Sequence, residues 1–257
     1  MSLAPVGRAA PATAVVRSQA ALEWRLLMSN GEQVLLTLII PLVLLVGLGL
    51  TDFVSLGVTG REARVDLLVP SIMALAVMSS AFTALAISTG FDRRGEAIKF
   101  LGTTPLSRTG LLAAKALAVL GVQAVQLVII GAVGLLLGWR PESTGLWAIP
   151  VIVLGTAAFA SWGLALAGVL RAEATLALAN AIYLLLLMGG GVIIPADLFP
   201  GPIASVVGLL PSAALADGLR AALDSGTLAV VGSSLGILAV WTLAGAFVVH
   251  RTFRWTS

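Results

Sequence analysis

The sequence predicts an all-α integral membrane protein with six transmembrane helices, and three observations support this fold class. Of the 257 residues, 59% are hydrophobic and only 11% are charged, whereas soluble domains carry about 25% charged residues. The mean hydropathy is +1.06. Six apolar runs are long enough to cross the hydrocarbon core of a bilayer, which takes about 20 helical residues. A chain of this composition belongs in a membrane.

The position of the apolar runs divides the chain into three parts. Residues 1–16 are rich in Ala, Pro and Ser, and we expect them to form a mobile tail. Residues 17–33 are predicted to form an interfacial amphipathic helix. Residues 34–257 are predicted to form the transmembrane domain, with spans at about 34–54, 67–90, 111–138, 146–170, 174–194 and 227–249.

The predicted amphipathic helix alternates apolar and polar residues at helical spacing. Four side chains can face lipid, namely Ala21, Leu22, Trp24 and Leu26, and four can stay in water, namely Arg17, Gln19, Glu23 and Arg25. Trp side chains favour the boundary between lipid and water, and Arg side chains flank it. We therefore predict that Trp24 and Arg25 anchor this helix at the membrane interface.

The distribution of basic residues predicts the orientation. An even number of spans places both termini on one side, and that side carries eleven of the fifteen Lys and Arg residues. The other side carries four: Arg61, Arg64, Arg140 and Arg220. Basic residues concentrate in cytoplasmic loops, so both termini are predicted to be cytoplasmic. The same bias accounts for the net charge of +3 without a nucleic-acid partner.

The stretch from Phe91 to Lys115 gathers charges between the second and third spans. Arg93, Arg94 and Glu96 alternate with apolar residues that include Ile98 and Leu101, and Pro105 then stops the helix. This pattern predicts a short cytoplasmic helix at the membrane surface, followed by a turn back into the bilayer. The alternative is an ordinary basic loop, which the orientation rule would also produce.

The connection between the fifth and sixth spans, Pro195–Gly226, is too apolar for a free loop. Its segment Gly201–Leu215 has 15 residues, fewer than a span needs. Prolines supply breaks, and irregular backbone at membrane depth must be buried in protein or line a cavity. We predict two short re-entrant helices on the outer face. The alternative is a connecting loop with no further role.

Few polar residues lie within the predicted spans. Gln123 and Gln126 are three residues apart in the third span and share one helix face, and Asn180 lies in the fifth span. These three side chains are candidates for lining a cavity. The alternative is hydrogen bonding between helices, which polar residues in spans commonly provide.

The sequence lacks the residues that several kinds of chemistry require. The two lysines are followed by Phe100 and Ala116, so no phosphate-binding Gly-Lys-Ser/Thr loop exists, and ATP hydrolysis by that chemistry is excluded. The chain has no Cys and one His, His250, so we predict no metal site. Carboxylates are scattered, and we predict no catalytic residue. A source of energy must come from a partner.

The string Leu101-Gly-Thr-Thr-Pro105-Leu-Ser-Arg108, together with the interfacial helix and the six spans, resembles the ABC-2 type transporter permeases. The similarity is closest to antibiotic-resistance exporters of the daunorubicin type. Leu210-Pro211-Ser212 and Leu219-Arg220 resemble a second family element more loosely. Many members carry Gly-Thr-Leu-Glu before the Thr-Pro pair, whereas this chain has Gly95-Glu96-Ala97-Ile98.

The resemblance implies a function as well as a fold. Such permeases lack ATPase activity, and two of them, identical or paralogous, assemble with two ABC ATP-binding subunits that hold ATP and Mg. It implies that the cytoplasmic helix couples to the ATP-binding subunit through Arg93, Arg94, Glu96, Ile98, Leu101 and Pro105. The expected function is export of a hydrophobic drug, antibiotic or lipid across a bacterial inner membrane. The alternatives are a membrane scaffold that works with an ATPase and a membrane-embedded lipid enzyme.

Overall fold

A computed structural model describes residues 11–29, 31–51, 57–95, 107–141, 143–224 and 227–252. Throughout these ranges the regular structure is helical, and no strand occurs in them. The α-helices are α1 (Ala12–Ser29), α2 (Gly31–Leu50), α3 (Arg61–Met78), α4 (Leu85–Arg94), α5 (Arg108–Leu137), α6 (Ala148–Val169), α7 (Ala172–Gly189), α8 (Gly201–Gly208), α9 (Pro211–Leu223) and α10 (Leu228–Thr252). The predicted all-α membrane fold is confirmed.

One long, buried helix forms the centre of the bundle. A π-helical segment, Ser79–Ala84, joins α3 to α4, so that Arg61–Arg94 is a continuous helix of 34 residues. At 1.5 Å per residue it is about 51 Å long, which exceeds the ~30 Å hydrocarbon thickness. Its two ends carry charges, and α2, α5, α6, α7 and α9 pack around it. The ends therefore extend beyond the hydrocarbon.

The π-helical segment lies where α6 crosses the central helix. A Cβ atom at Gly163 would lie 2.8 Å from the Phe82 carbonyl oxygen, so only glycine permits this close approach. The rings of Phe82 and Phe159 meet edge to face beside it, with centroids 6.4 Å apart. The widened turn of a π-helix thus coincides with a close crossing between two backbones.

Five of the six predicted spans correspond to helices long and apolar enough to cross a membrane: Arg61–Arg94, Thr109–Leu137, Gly145–Val169, Ala172–Gly189 and Leu228–Thr252. The first predicted span corresponds to α2, in which Thr37–Leu50 is a shorter apolar helix. The fifth ends five residues earlier than predicted, at Gly189, because Gly191 has a φ of 75° that a continuing helix cannot adopt.

The N-terminal helix also differs from its predicted boundaries. It begins at Ala12, so residues 12–16 are helical although we expected them in the tail. Pro11 precedes the first turn, and its carbonyl oxygen accepts hydrogen bonds from Ala14 and Val15. Proline needs no backbone donor at a helix start, and its fixed φ favours the helix. Residues 12–16, which follow this proline, therefore form the first turn of α1.

The connection between α7 and α10 contains the two short helices that the sequence predicts. The axes of α8 and α9 meet at 82°, and Pro211 begins the second of them. Nearly all of α9 is buried, including Leu215 and Leu219, and it packs against α3, α6 and α10. A segment with this burial is part of the core rather than a surface loop.

Candidate coupling site at the charged end of the helices

The charged residues predicted to couple to a partner lie where α4 ends and α5 begins. Arg93 and Arg94 form the last turn of α4. The helix α5 begins after Ser107, whose Oγ atom accepts a hydrogen bond of 3.0 Å from the backbone N–H of Gly110. We name residues 96–106, which join these helices, the coupling segment. The predicted coupling residues Glu96, Ile98, Leu101 and Pro105 fall in it and lie outside the described residues.

A buried lysine connects both sides of the coupling segment to the N-terminal helix. The Nζ atom of Lys115 in α5 donates hydrogen bonds to Asp92 Oδ2 at 2.8 Å and to Glu23 Oε2 at 3.0 Å. The Lys115 side chain is 3% exposed and that of Glu23 is 13% exposed. A charge this deeply buried needs paired, hydrogen-bonded partners to be tolerated. The three residues form a unit that we call the Lys115 triad.

The triad corrects the predicted orientation of α1. We predicted that Glu23 stays in water, but it faces Lys115, and Gln19 donates a 3.0 Å hydrogen bond to its other oxygen. The indole of Trp24 lies against α5, where a Cβ atom at Gly121 would come within 2.7 Å of it. Arg25 is exposed. The reason is a partner on α5 that helical spacing within α1 alone does not reveal.

Arg93 attaches α4 to the end of α6. Its guanidinium donates to the carbonyl oxygen of Ala167 and, at 3.4 Å, to that of Leu170. The last carbonyl groups of a helix lack partners within the helix and carry partial negative charge. A guanidinium is well suited to this position. Arg93 therefore fixes the end of α4 to the end of a neighbouring span.

Arg94 extends the same set of contacts to α7. Its guanidinium pairs with Glu173 in the first turn of α7. Both side chains are 63% exposed, and an exposed ion pair contributes only ~0–1 kcal/mol. The contact thus adds little stability, but it joins the last turn of α4 to a third helix. Through the triad, Arg93 and Arg94, the residues flanking this segment contact α1, α6 and α7.

The sequence reasoning missed Lys115, Glu23 and Asp92 as site residues. Lys115 was counted among the charges of the loop before the third span, because the apolar run of that span begins at Ala116. One signal was available. The helix-capping residue Ser107 predicts that α5 already includes Lys115, and a lysine inside a long apolar helix requires a partner.

The two glutamines of α5 hydrogen-bond to three other elements of the bundle. Gln123 donates to Ser80 Oγ at 3.0 Å and accepts from Thr156 Oγ1 at 2.7 Å. Gln126 donates to Thr37 Oγ1 at 3.0 Å. Each glutamine is 1% exposed. These contacts are the interhelical hydrogen bonds that we gave as the alternative to lining a cavity.

Asn180 does not join the glutamines. It lies on the exposed face of α7, and its side-chain amide donates a 2.9 Å hydrogen bond to Leu176 of the same helix. A polar side chain that bonds its own backbone is satisfied without a neighbouring helix. The three candidate cavity residues therefore do not form one site in this chain.

At the opposite end of the bundle, Arg220 holds α9 in place. Its guanidinium donates to Ser71 Oγ of α3 at 3.0 Å and to Asp217 Oδ1 at 2.6 Å. It also donates to the carbonyl oxygens of Gly191 and Val192, in the turn after α7. Arg220 thereby joins three elements that are far apart in sequence. An open cleft of about 670 Å³ lies beside it.

These features define a class of protein: a multi-pass α-helical membrane protein whose longest described helix carries charged residues in its first and last turns. Among the described residues, no group of side chains could hold a metal ion. The family model for the ABC-2 type transporter matches residues 17–223, and the chain belongs to this family. Comparison with curated proteins finds no match. The chain is a permease component of an ABC transporter, a complex in which the membrane domain partners with ATP-binding subunits.

Proposed function

We propose that this permease exports a hydrophobic or amphiphilic compound, such as a drug, antibiotic or lipid, from the cytoplasm or the inner leaflet of a bacterial inner membrane. Both termini are cytoplasmic in this proposal. Two permeases, identical or paralogous, work with two ATP-binding subunits that bind ATP and Mg. The apolar spans, with few charges between their ends, favour an amphiphilic cargo over a sugar or an ion.

One observation carries the proposal: residues that flank the coupling segment join α4 and α5 to several other helices. Asp92 and Arg93 precede the segment and Lys115 follows it, and together they bind α1, α5 and the end of α6. A displacement of the segment by an ATP-binding subunit would therefore move these helices as one unit. Coupling of this kind requires that the joined helices adopt two arrangements, and that the ATP-binding subunit shifts the equilibrium between them.

The mechanism follows from these contacts. When the ATP-binding subunits close on ATP, they push the coupling segment toward the bilayer. The central helix Arg61–Arg94 is longer than the hydrocarbon is thick, so a push at its charged end reaches the opposite end. There Arg220 joins the helix to α9 through Ser71. The motion thus reaches the short helices on the far side, where the cargo leaves.

The test is transport and ATP hydrolysis by the complex reconstituted in proteoliposomes. We expect Lys115→Met to lower cargo-stimulated ATP hydrolysis at least tenfold while the ATP-binding subunit still co-purifies with the permease. The matched control is Arg17→Ala, which removes an exposed charge from α1, the helix that also carries Glu23, and should keep more than half of the stimulation. Equal stimulation in wild type and Lys115→Met would contradict the proposal.

The second candidate is a membrane scaffold that uses an ATPase without moving a compound. The contacts described above would serve a scaffold as well as a transporter. The two functions differ in one measurement, which is ATP hydrolysis by the purified complex in lipid as amphiphilic compounds are added. A transporter predicts stimulation by a subset of these compounds, and a scaffold predicts none.

A further inference from the structure

A second candidate site lies between three of the spans. A cavity of about 310 Å³ opens between α5, α6 and α10, and its walls include Leu112, Leu164 and Ala246, one from each helix. All three helices are long and apolar enough to cross a membrane. Ligand sites in proteins have volumes of about 300–1,000 Å³. The cavity is therefore large enough for a slender ligand.

The polar side chains inside the cavity are occupied by their own helices. Ser161 Oγ donates a 2.7 Å hydrogen bond to the carbonyl oxygen of Ala158. Thr242 Oγ1 donates a 2.7 Å hydrogen bond to that of Leu238. A hydroxyl that back-bonds in this way has no proton left for a ligand. The interior therefore presents a hydrocarbon-like surface, suited to an alkyl chain.

Polar and basic residues gather at one end of the cavity. Thr109, in the first turn of α5, and His250, in the last turns of α10, line it there and are exposed. Arg251 follows His250 at the same end of α10 and is exposed, and its guanidinium lies 5.1 Å from the centre of the Phe247 ring. No carboxylate is among the lining residues in the described part of the chain. The mouth is therefore suited to an anionic group.

The depth of the cavity matches one leaflet. Thr242 and His250 both line it and are eight residues apart in α10, which corresponds to about 12 Å along the helix axis. Half of the ~30 Å hydrocarbon core is about 15 Å. A chain that enters between the helices at the basic end thus reaches nearly to the middle of the bilayer. The dimensions fit a single acyl chain with its headgroup at the membrane surface.

We propose that this cavity binds one acyl chain of an anionic phospholipid from the surrounding bilayer, with the phosphate beside His250 and Arg251. Basic residues at the ends of spans attract anionic headgroups. The bound chain fills space that α5, α6 and α10 leave open, and it stabilises their packing at the end where α5 follows the coupling segment. This lipid is a resident of the permease rather than its cargo.

The first test uses the permease alone, in phosphatidylcholine vesicles with a trace of phosphatidylglycerol that carries a photoreactive diazirine at the end of one acyl chain. Irradiation and mass spectrometry should find crosslinks to α5, α6 and α10. We expect Ala246→Phe, which fills the cavity, to lower this labelling at least fivefold. Ala244→Phe is the matched control, because Ala244 is exposed on another face of α10 and does not line the cavity. Equal labelling of the two variants overturns the proposal.

The second test separates an anionic lipid from other amphiphiles. The same diazirine on phosphatidylcholine should label the cavity at least threefold less than on phosphatidylglycerol. The double variant His250→Ala, Arg251→Gln should remove this difference. Equal labelling of wild type by the two lipids overturns the preference for an anion, and with it the proposal. Both tests omit the ATP-binding subunit, so their outcome is independent of the transport function.

A third measurement distinguishes a resident lipid from cargo. In vesicles that also contain the ATP-binding subunit, labelling by the phosphatidylglycerol probe is compared before and after ATP turnover. A resident lipid keeps its labelling within twofold. A severalfold fall that depends on ATP hydrolysis would show that the occupant is cargo, and it would overturn the assignment.

Discussion

The Nζ atom of Lys115 lies 2.8 Å from the Oδ2 atom of Asp92, so one ion pair brings together the two sides of the coupling segment. Twenty-three residues separate the pair in sequence. Glu23 contacts the same Nζ atom from α1 at 3.0 Å. The end of α4 and the first turns of α5, which flank the segment expected to contact the ATP-binding subunit, are therefore joined to each other and to the N-terminal helix.

Removing the lysine tests the strength of this connection. Lys115→Met leaves Glu23 and Asp92 close together without their cation, and breaking a buried ion pair from one side costs about 3 kcal/mol or more. For a chain of this size we expect the apparent melting temperature to fall by about 6–12 °C. Thermal unfolding in detergent, followed by size-exclusion chromatography, measures the change.

The control for that experiment is Arg94→Ala, which removes an ion pair with 63% of each side chain exposed. Such pairs contribute only ~0–1 kcal/mol, so its melting temperature should stay close to that of the wild type. A fall of equal size in both variants would show that the burial of Lys115 has no special role.

The crossing of α6 over the π-helical segment can be tested with a single methyl group. A Cβ atom at Gly163 would lie 2.8 Å from a backbone oxygen that cannot rotate away. We expect Gly163→Ala to destabilise the protein by about 1–3 kcal/mol. Gly236→Ala in α10 has nothing within 4 Å of its new Cβ atom, so it should stabilise by about 0.5–1 kcal/mol. Thermal melts of the two variants should therefore shift in opposite directions.

Arg220 is predicted to be the main support of α9. Arg220→Met removes all the hydrogen bonds to Ser71, Asp217 and the turn after α7, and it leaves a partly buried carboxylate without its partner. We expect a loss of about 3 kcal/mol and faster proteolysis between α7 and α10. Ser71→Ala removes one of these bonds and should cost only about 0.5–1.5 kcal/mol. Limited proteolysis that cuts both variants at the same rate would refute this role.

The orientation of the chain can be read from thiol labelling, because the sequence contains no cysteine. Asp197 is exposed between α7 and α8, so Asp197→Cys should react with a membrane-impermeant maleimide in intact cells. Arg108→Cys, at the start of α5, should react only after the membrane is permeabilised. The reverse pattern of labelling would invert the topology that the basic residues predict.

The spans could be predicted from the sequence because their length and apolarity are local properties. The same holds for the end of α5, where Gly138 has a φ of 102° one residue after the last helical residue, at the predicted boundary. The beginning of α1 was wrong by five residues, since Ala and Val after a proline occur in both tails and helices. Local sequence therefore predicts the bounds of the spans better than it predicts the start of α1.

Contacts between distant segments could not be predicted in the same way. Glu23 and Lys115 are 92 residues apart, and helical spacing in α1 alone placed Glu23 in water. The π-helical segment lies where α6 approaches the central helix at Gly163, and that contact exists only in the packed core. Pairing across elements is set by tertiary structure, so the sequence reveals the charged residues and not their partners.

The central claim is that residues 93–108 transmit force from an ATP-binding subunit to the spans. Ile98 and Leu101 are the apolar residues predicted to bind that subunit, because a few buried side chains dominate such interfaces. The measurement is the amount of ATP-binding subunit that co-purifies with the permease in mild detergent, for wild type and for the double variant Ile98→Asp, Leu101→Asp. We expect the double variant to retain less than a tenth of the subunit while still inserting into the membrane, and Glu96→Lys to retain most of it. A double variant that keeps its full complement of ATP-binding subunit would contradict the claim.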